Sequence, residues 1–513
     1  MSPFKSRYMI GALAGALVAG GAMTAAGLEA ADRNGAPPPP GRADVASAPN
    51  FGPPPGAPMS FADIFEKVSP AVVSINVTTR VDTGRMPIQI PGLPFEFRPP
   101  GSGREEDGEG AGPRGPRRQS AGSGFFITAD GYLVTNNHVI ADAESIKVVL
   151  KDETELDATV VGRDEETDIA VLKVKGSGYA FVNFENSARP RVGDWVLTVG
   201  NPYNLGGTAT AGIVSAYGRD IGQTFVDYIQ LDAPINRGNS GGPTFDVYGR
   251  VIGVNTAIFS PTGGSVGIGF AVPAEVAARV SRQLIANGKV VRGYIGASIQ
   301  DFDEDMAAAQ GMANQKGAIV TELTPGAPAE KAGLATGDIV LSVNGVRVRS
   351  SSELTRQVAR ASPGDLLRLE VIRDGKPRTI DIRSGSRPPA SELAAGPGDP
   401  GGAAPGPGRK APSAGQALLG MTVAPLDEAA RRRLGLPGAA RGLLITAIDR
   451  SSDAAARGLQ TNDVLLRAGD RVLSAPADLA GVIDQARKAG RPSILVAVWR
   501  GGRTIFLPIK ISG

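Results

Sequence analysis

The sequence predicts a mainly β protein made of several domains. The chain has 513 residues, which is more than a single hydrophobic core usually organises. Between about residues 120 and 273 it consists of short apolar runs, such as YLVTN, SIKVVL and WVLTVG, separated by Gly, Asn and Asp. This spacing is typical of a β-barrel or a β-sandwich. Two later stretches repeat one pattern of strands around a short Ala-rich helix.

Residues 1–30 have the composition of an export segment. Lys5 and Arg7 precede a run without charge from about Met9 to Ala26. This pattern predicts a signal peptide, and the length of the run leaves an uncleaved inner-membrane anchor as the alternative. Both interpretations place the rest of the chain outside the cytoplasm. Residues 31–58, rich in Pro, Gly and Ala, are predicted to be a linker.

The large β domain is expected to span residues 59–289. Order begins near Phe61, and an insertion at about 80–120, rich in Pro, Gly and charged residues, is expected to be a surface loop between two strands. The domain closes with a helix of sequence PAEVAARVSRQLIANGK. Pro273 stands near the first turn of this helix, and Gly288 ends it.

The two repeated stretches predict two small α+β modules, at residues 290–386 and 416–513. Each has two strands, a short Ala-rich helix, a Gly turn, a further strand and a closing hairpin. Residues 387–415 between them are rich in Gly, Pro and Ala and are predicted to be a flexible tether.

Composition excludes several classes of function and site. The chain carries 54 basic and 51 acidic side chains, a net charge of +3, so a nucleic-acid partner is not indicated. It has no cysteine and one histidine, which excludes disulfides, cysteine-based zinc sites and multi-histidine metal sites. We therefore expect no metal and no cofactor.

The strongest local signal is INRGNSGGP, at residues 235–243. Its serine, Ser240, stands among glycines that allow a tight turn, and the N–H groups of Gly238 and Ser240 can converge there on a developing oxyanion. Taken alone, a serine among glycines is more often part of a plain turn. The catalytic interpretation needs a base and an orienting carboxylate as well.

His138 is the sole imidazole and so the one candidate for the general base of Ser240, although a lone histidine behind a strand is usually structural. Asp168 directly precedes the apolar strand IAVLKV and is expected to reach the interior and orient His138, with a strand cap as the alternative. Residues 164–166 are predicted to be a solvated loop. The order His, Asp, Ser in an all-β region is the one that a chymotrypsin-type triad requires.

The segments TNNHVI, TDIAVLKV, VGNPYNLGGTATAGIVSA, QLDAPINRGNSGGP and GGSVGIGFAVP together resemble the HtrA/Deg (Do-like) family of serine endoproteases, and the two modules resemble its PDZ domains. The resemblance implies a chymotrypsin/trypsin-like double β-barrel followed by two PDZ-type α+β domains. It implies a triad of His138, Asp168 and Ser240, and an oxyanion hole formed by Gly238 and the Ser240 amide.

The same resemblance implies an ATP-independent endopeptidase of the bacterial periplasm that degrades unfolded or misfolded envelope proteins. It implies a homotrimer or a larger homo-oligomer, a regulatory role for the insertion at about 80–120, and a specificity pocket around Asn255 to Ile268. The loop at 217–225 matches the one that senses PDZ occupancy, with Arg219 as the relaying residue.

In the first module, RGYIG resembles the loop that binds the carboxylate of a peptide C-terminus, while the peptide adds a strand to the sheet edge. The predicted peptide-binding residues are Arg292, Gly293, Tyr294, Ile295 and Gly296. The second module has LLGMT in this place, which is less typical. For both modules, a role in assembly alone is the alternative.

Two rival functions use the same features. A holdase chaperone would bind unfolded chains through the modules without cutting them, and a peptide-sensing scaffold would keep the protease fold without activity. The presence of both His138 and Ser240 argues against either as the sole function.

Overall fold

The computed structural model of the chain describes residues 60–80, 117–184, 190–201, 207–236, 238–261, 264–312, 314–388 and 416–511. The predicted export segment and N-terminal linker lie outside these ranges, as do residues 81–116 of the insertion and nearly all of the tether. Among the described residues, no helix is both long and apolar enough to cross a membrane.

The first part of the chain forms a closed barrel of six strands. These are β1 (Val72–Arg80), β2 (Arg117–Phe126), β3 (Tyr132–Thr135), β4 (Ala143–Val149), β5 (Glu155–Asp164) and β6 (Ile169–Val174), with helix α1 (Ala62–Val68) and a 3₁₀ turn (Ser69–Ala71) before them and α2 (Asn137–Ile140) after β3. The strands pair in the order β1, β2, β3, β6, β5, β4, and β4 returns to β1. Alternate residues Val73, Ile75 and Val77 of β1 fill the barrel core, as a two-residue period requires.

A second closed barrel follows. Its strands are β7 (Trp195–Gly200), β8 (Thr208–Arg219), β9 (Tyr228–Leu231), β10 (Pro243–Asp246), β11 (Val251–Ile258) and β12 (Gly269–Pro273), paired in the order β10, β11, β12, β9, β8, β7 and closed by β7 on β10. One buried cluster joins Phe125 of the first barrel to Tyr228 and Phe245 of the second. The predicted double β-barrel is confirmed.

Helix α3 (Ala274–Asn287) closes the second barrel where the sequence predicts it. Pro273 occupies the N-cap, and Gly288 ends the helix at φ +70°, a left-handed conformation that costs glycine little. Val276 and Val280, four residues apart on one face, are buried in the cluster shared by the two barrels.

The first small module is a sheet with helices packed against both faces. Its elements are β13 (Gly293–Tyr294), β14 (Ala297–Phe302), α4 (Glu304–Ala309), β15 (Gly317–Leu323), α5 (Pro328–Lys331), β16 (Ile339–Val343), β17 (Val346–Arg347), α6 (Ser351–Ala359), β18 (Leu366–Arg373), β19 (Lys376–Arg383) and β20 (Gly385–Ser386). The main sheet runs β14, β15, β16, β18, β19, so β14 lies at one edge, while β13 pairs separately with β20.

The second small module has the same order of elements from its second strand onward. They are β21 (Gln416–Leu418), β22 (Met421–Pro425), α7 (Glu428–Arg433), β23 (Leu443–Ile448), α8 (Asp453–Ala456), β24 (Val464–Ala468), β25 (Arg471–Val472), α9 (Pro476–Lys488), β26 (Ser493–Arg500) and β27 (Arg503–Lys510). Here β21 folds back along β22 as a hairpin. Leu419 and Gly420 make the turn, at φ +51° and +75°, and positive φ at both central residues is what a type I′ hairpin turn requires.

The second module packs on the outer face of the first module's sheet. Along β15, Val320 faces the module's own core, whereas its neighbour Ile319 points the other way and joins a buried cluster with Leu495 and Phe506 of the second module. The side-chain amide of Gln300 donates to the carbonyl of Phe506 at 2.9 Å and accepts from its N–H at 3.0 Å.

Candidate active site

Asp168 stands at the start of β6, where the chain enters the interior. Asp168 is only 6% exposed, which agrees with the expectation that the apolar strand after it carries it into the interior. Its backbone has φ +56°, a conformation that costs a non-glycine residue roughly 1–2 kcal/mol. The Asp168 carbonyl accepts hydrogen bonds from Asn137 N–H at 3.1 Å and from the Asn136 amide at 2.9 Å, which hold this turn in place.

The structure brings His138 and Asp168 into contact by two hydrogen bonds. Nδ1 of His138 lies 2.6 Å from Oδ2 of Asp168, and the His138 backbone N–H donates to Oδ1 at 2.9 Å. The imidazole is one third exposed. Burial lowers the pKa of His138, but the charge and the hydrogen bond of Asp168 raise it by more, so the pKa lies above its usual 6.5. With Nδ1 on Asp168, Nε2 is the nitrogen left for proton transfer.

Asn136 links this pair to the second barrel, a role that sequence reasoning missed. The residue is fully buried, and its side-chain N–H₂ group donates to the Asp168 carbonyl and to Oγ1 of Thr256 at 3.0 Å. Thr256 lies on β11, so one amide joins the two barrels beside His138. The TNN motif contained Asn136, but nothing in its spacing pointed to Thr256.

The segment around Ser240 lies beside these loops on the second barrel. Gly241 N–H donates to the Asn255 carbonyl at 2.8 Å, and Asn255 N–H donates to the Gly242 carbonyl at 2.9 Å. Gly241 has φ +83°, and a Cβ there would collide with the backbone carbonyl of Ser123 and lie 3.0 Å from the backbone nitrogen of Asn136, so only glycine fits. The loops of Ser240 and His138 are therefore in direct contact.

Three groups of this segment have no hydrogen-bond partner among the described residues. The N–H groups of Gly238 and Ser240 donate to no acceptor within the described part of the chain. Gly238 has φ +99°. Ser240 Oγ likewise forms no hydrogen bond to His138 or to any other described residue. Such contacts often tighten only when substrate binds.

Asn255, at the start of the predicted specificity pocket, supports the Ser240 segment instead of facing a substrate. Its side chain is fully buried and accepts a hydrogen bond from Thr244 Oγ1 at 2.5 Å. A buried polar side chain with satisfied hydrogen bonds fixes the backbone around it.

Comparison with known proteins identifies the family. A model described as Trypsin-like peptidase domain matches residues 122–254, and one described as PDZ domain matches residues 293–383. A protein of Rhizobium meliloti (strain 1021), named probable periplasmic serine endoprotease DegP-like, is 41% identical over 482 residues, which cover 88% of this chain and 92% of that protein. The chain belongs to the HtrA/DegP family of serine endoproteases.

Further comparisons agree with this HtrA/DegP assignment. A protein of Brucella suis biovar 1 (strain 1330) with the same name is 40% identical over 494 residues, covering 91% of this chain and 92% of the relative. The solved structure described as HtrA-type protease AlgW with decapeptide matches with a TM-score of 0.52 and 37% identity, covering 64% of this chain and 99% of its own. The PDZ match covers one of the two predicted PDZ domains, the first module.

In this HtrA/DegP protease, Arg292 lies at the junction between the peptidase domain and the first module. It is 9% exposed, and its guanidinium contacts Asp164 at 2.6 and 3.0 Å and Glu166 at 3.0 Å. The prediction that residues 164–166 form a solvated loop is wrong for Asp164, which is 7% exposed because Arg292 and Thr167 cover it.

The other predicted peptide-binding residues lie in the segment that leads into the edge strand β14. Gly293 and Tyr294 form β13, and Gly296 turns at φ +74° into β14, against Ala327. Ile295 is buried in the module core. Their role in peptide binding stays a prediction.

The predicted sensing loop of the HtrA/DegP chain contacts the first module through residues other than Arg219. Arg219 is exposed and donates from Nε to Gln230 Oε1 at 2.8 Å within the second barrel. Phe225, at the end of the loop, lies between the guanidinium groups of Arg292 and Arg387, at 4.8 and 4.9 Å from its ring centre. Sequence spacing gave no signal for this contact.

The raised pKa of His138 predicts a pH dependence. A base must be neutral to accept a proton, so kcat/KM should rise with pH through the pKa of His138, with the midpoint of this acid limb above pH 6.5. Replacement of Asp168 by Asn removes the groups that raise this pKa and leaves the burial that lowers it. We expect the midpoint to fall and kcat to drop by about 10⁴-fold.

The measurement is kcat/KM for a fluorogenic casein peptide from pH 5 to 9. Glu165→Gln is the matched control, because Glu165 is exposed and pairs only loosely with Arg163. An Asp168→Asn variant with the wild-type midpoint and rate would contradict the assignment of Asp168.

Proposed function

We propose that this serine endoprotease of the cell envelope cleaves unfolded or damaged proteins with His138, Asp168 and Ser240 as its triad. The observation that carries the proposal is the double hydrogen bond between His138 and Asp168, next to the segment of Ser240. The periplasmic relatives support the location. Export to the periplasm is the role we propose for residues 1–30.

The mechanism follows from the positions of these groups. Ser240 Oγ bonds to the peptide carbonyl carbon while Nε2 of His138 takes its proton, and the N–H groups of Gly238 and Ser240 stabilise the oxyanion. His138 then gives the proton to the leaving amine as the C–N bond breaks, which leaves an acyl-enzyme. Water, deprotonated by His138, releases the acid and restores Ser240. Asp168 keeps Nδ1 protonated throughout.

We propose that peptide C-termini bind to the first module at β14. An extended peptide can add to this edge because β14 has β15 as its one neighbour in the sheet of the described residues. The carboxylate would meet backbone N–H groups at residues 293–296. The similar AlgW protease was solved with a decapeptide, which supports a peptide ligand for this chain as well.

We propose that the second module is the second PDZ domain. The edge of its sheet that corresponds to β14 is covered by another strand. The strand after its LLG turn is β22, and β21 pairs along it from Gln416 to Leu418. A peptide could add to β22 only after β21 has left. Leu419 at φ +51° disfavours the closed hairpin, whereas Ile295 at the matching position of the first module has no positive φ.

We propose a homotrimer or a larger homo-oligomer. Phe61 and Trp195 form an edge-to-face aromatic pair with ring centres 6.1 Å apart, and Trp195 is 38% exposed. Aromatic side chains are enriched in protein interfaces. Arg219 and residues 80–120 keep the regulatory roles that the family resemblance implies, as proposals.

Cleavage itself tests the triad. Wild-type protein lacking residues 1–30 should degrade β-casein over time, and Ser240→Ala should not, because the attacking oxygen is gone. Ser145→Ala, which changes an exposed serine on β4, should cleave at the wild-type rate. If the wild type does not cut even with a C-terminal peptide present, the holdase interpretation replaces this one.

Peptide stoichiometry tests the two modules. Titration calorimetry with a peptide bearing a free C-terminus should give one site per wild-type chain. Leu419→Val should open the hairpin, because a β-branched residue resists positive φ, and add a second site. Leu419→Asn, which tolerates that conformation, should keep one site. Two sites in the wild type would refute the closed edge, and none would refute binding at β14.

Light scattering after size-exclusion chromatography tests the assembly. The wild type should elute as a trimer or a larger multiple, and Trp195→Ala should shift the mass toward the monomer because it removes apolar contact area. Val160→Ala changes another exposed apolar side chain and should leave the mass unaltered. A monomeric wild type contradicts the proposal.

A further inference from the structure

Ser123 is a fully buried residue of β2. It contacts the segment around Ser240, residues 238–242, at two points, and we call this segment the nucleophile segment. Its backbone N–H donates to the carbonyl of Ser240 at 2.9 Å. Its hydroxyl donates to the carbonyl of Gly238 at 2.5 Å. Ser123 therefore holds, from the first barrel, both residues whose N–H groups we assign to the oxyanion hole on the second.

The hydroxyl of Ser123 is also an acceptor. The N–H of Asn201 donates to Ser123 Oγ at 2.8 Å, so the group has a fixed direction: it receives one hydrogen bond and gives the other to Gly238. Consecutive hydrogen bonds of this kind strengthen one another in a low-dielectric interior. The position of the Gly238 carbonyl is thus determined by a side chain more than a hundred residues away in sequence.

Gly238 needs such a restraint more than other residues do. Its φ of +99° belongs to a region that glycine enters freely, and it has no side chain of its own to hold it. Rotation of its backbone would carry its N–H away from the oxyanion position. Pre-organised donors lose most of their effect when they must reorient during the reaction.

We propose that the Ser123 hydroxyl is a positioning residue that fixes the oxyanion hole through the Gly238 carbonyl. The inference rests on the proposed function of Ser240 and Gly238. Ser123 touches neither the imidazole nor its carboxylate in the described contacts, so it acts on transition-state stabilisation and leaves proton transfer unaffected.

The chain provides a matched control on the neighbouring strand. Ser74 of β1 lies directly opposite Ser123 in the sheet register and is equally buried. Its hydroxyl has no hydrogen-bond partner in the part of the chain that the structure describes. Ser74→Ala therefore removes a buried hydroxyl from the same barrel without removing a contact to the nucleophile segment.

The test compares Ser123→Ala, Ser123→Cys and Ser74→Ala with the wild type. For each, kcat and KM are measured with the fluorogenic casein peptide across pH, and the thermal midpoint is measured by calorimetry. Removing one oxyanion donor costs about 10²- to 10³-fold in kcat, and Ser123 acts on such a donor indirectly. We expect Ser123→Ala to lower kcat by roughly 10- to 100-fold, with KM and the pH midpoint unchanged.

Ser123→Cys should show an intermediate kcat, because a thiol is a weaker donor in the same place. Ser74→Ala should match the wild type. A wild-type kcat in folded Ser123→Ala, a loss confined to KM, or an equal loss in Ser74→Ala would overturn the inference. If Ser123→Ala does not fold, a wild-type kcat in Ser123→Cys would overturn the inference instead. An inactive wild type overturns the proposed function first, and the inference with it.

Discussion

The left-handed turn at Asp168 is the constraint on which the rest of the site depends. It costs the chain conformational energy, and four hydrogen bonds to this one residue offset that cost: two from His138 to the carboxylate, and two from Asn136 and Asn137 to the carbonyl. The donor amide of Asn136 also reaches Thr256 on the second barrel. The orientation of His138 therefore depends on the contact between the two barrels.

Sequence reasoning reached the barrels and the candidate triad because each left a local signal. Short apolar runs gave the strands, and a single histidine left one possible base. The supporting residues had no such signal. Asn136 and Ser123 act by hydrogen bonds to segments about 120 residues away, and Asp164 is buried because Arg292 pairs with it across 128 positions. The residues around Asp164 are charged, and this composition led to the prediction of a solvated loop. The prediction is wrong for Asp164 because its partner, Arg292, is distant in sequence.

The junction between the peptidase domain and the first module is charged on both sides. Phe225 is held between two guanidinium groups, and Arg356 of α6, itself largely buried, pairs with Asp227 at 2.7 Å, just beyond the predicted sensing loop. Burial raises the pKa of Asp227 even though the charge of Arg356 lowers it. The first module thus contacts the predicted loop directly, and the composition of the loop did not reveal the residues that make these contacts.

The hairpin formed by β21 and β22 also affects the tendency of the chain to aggregate. An unpaired sheet edge is a template on which extended segments of other chains can stack, and such stacking leads to aggregation. Because β21 covers β22, the second module presents no bare strand there. A molecule built this way can leave the edge at β14 open while limiting its own risk of aggregation through the second module.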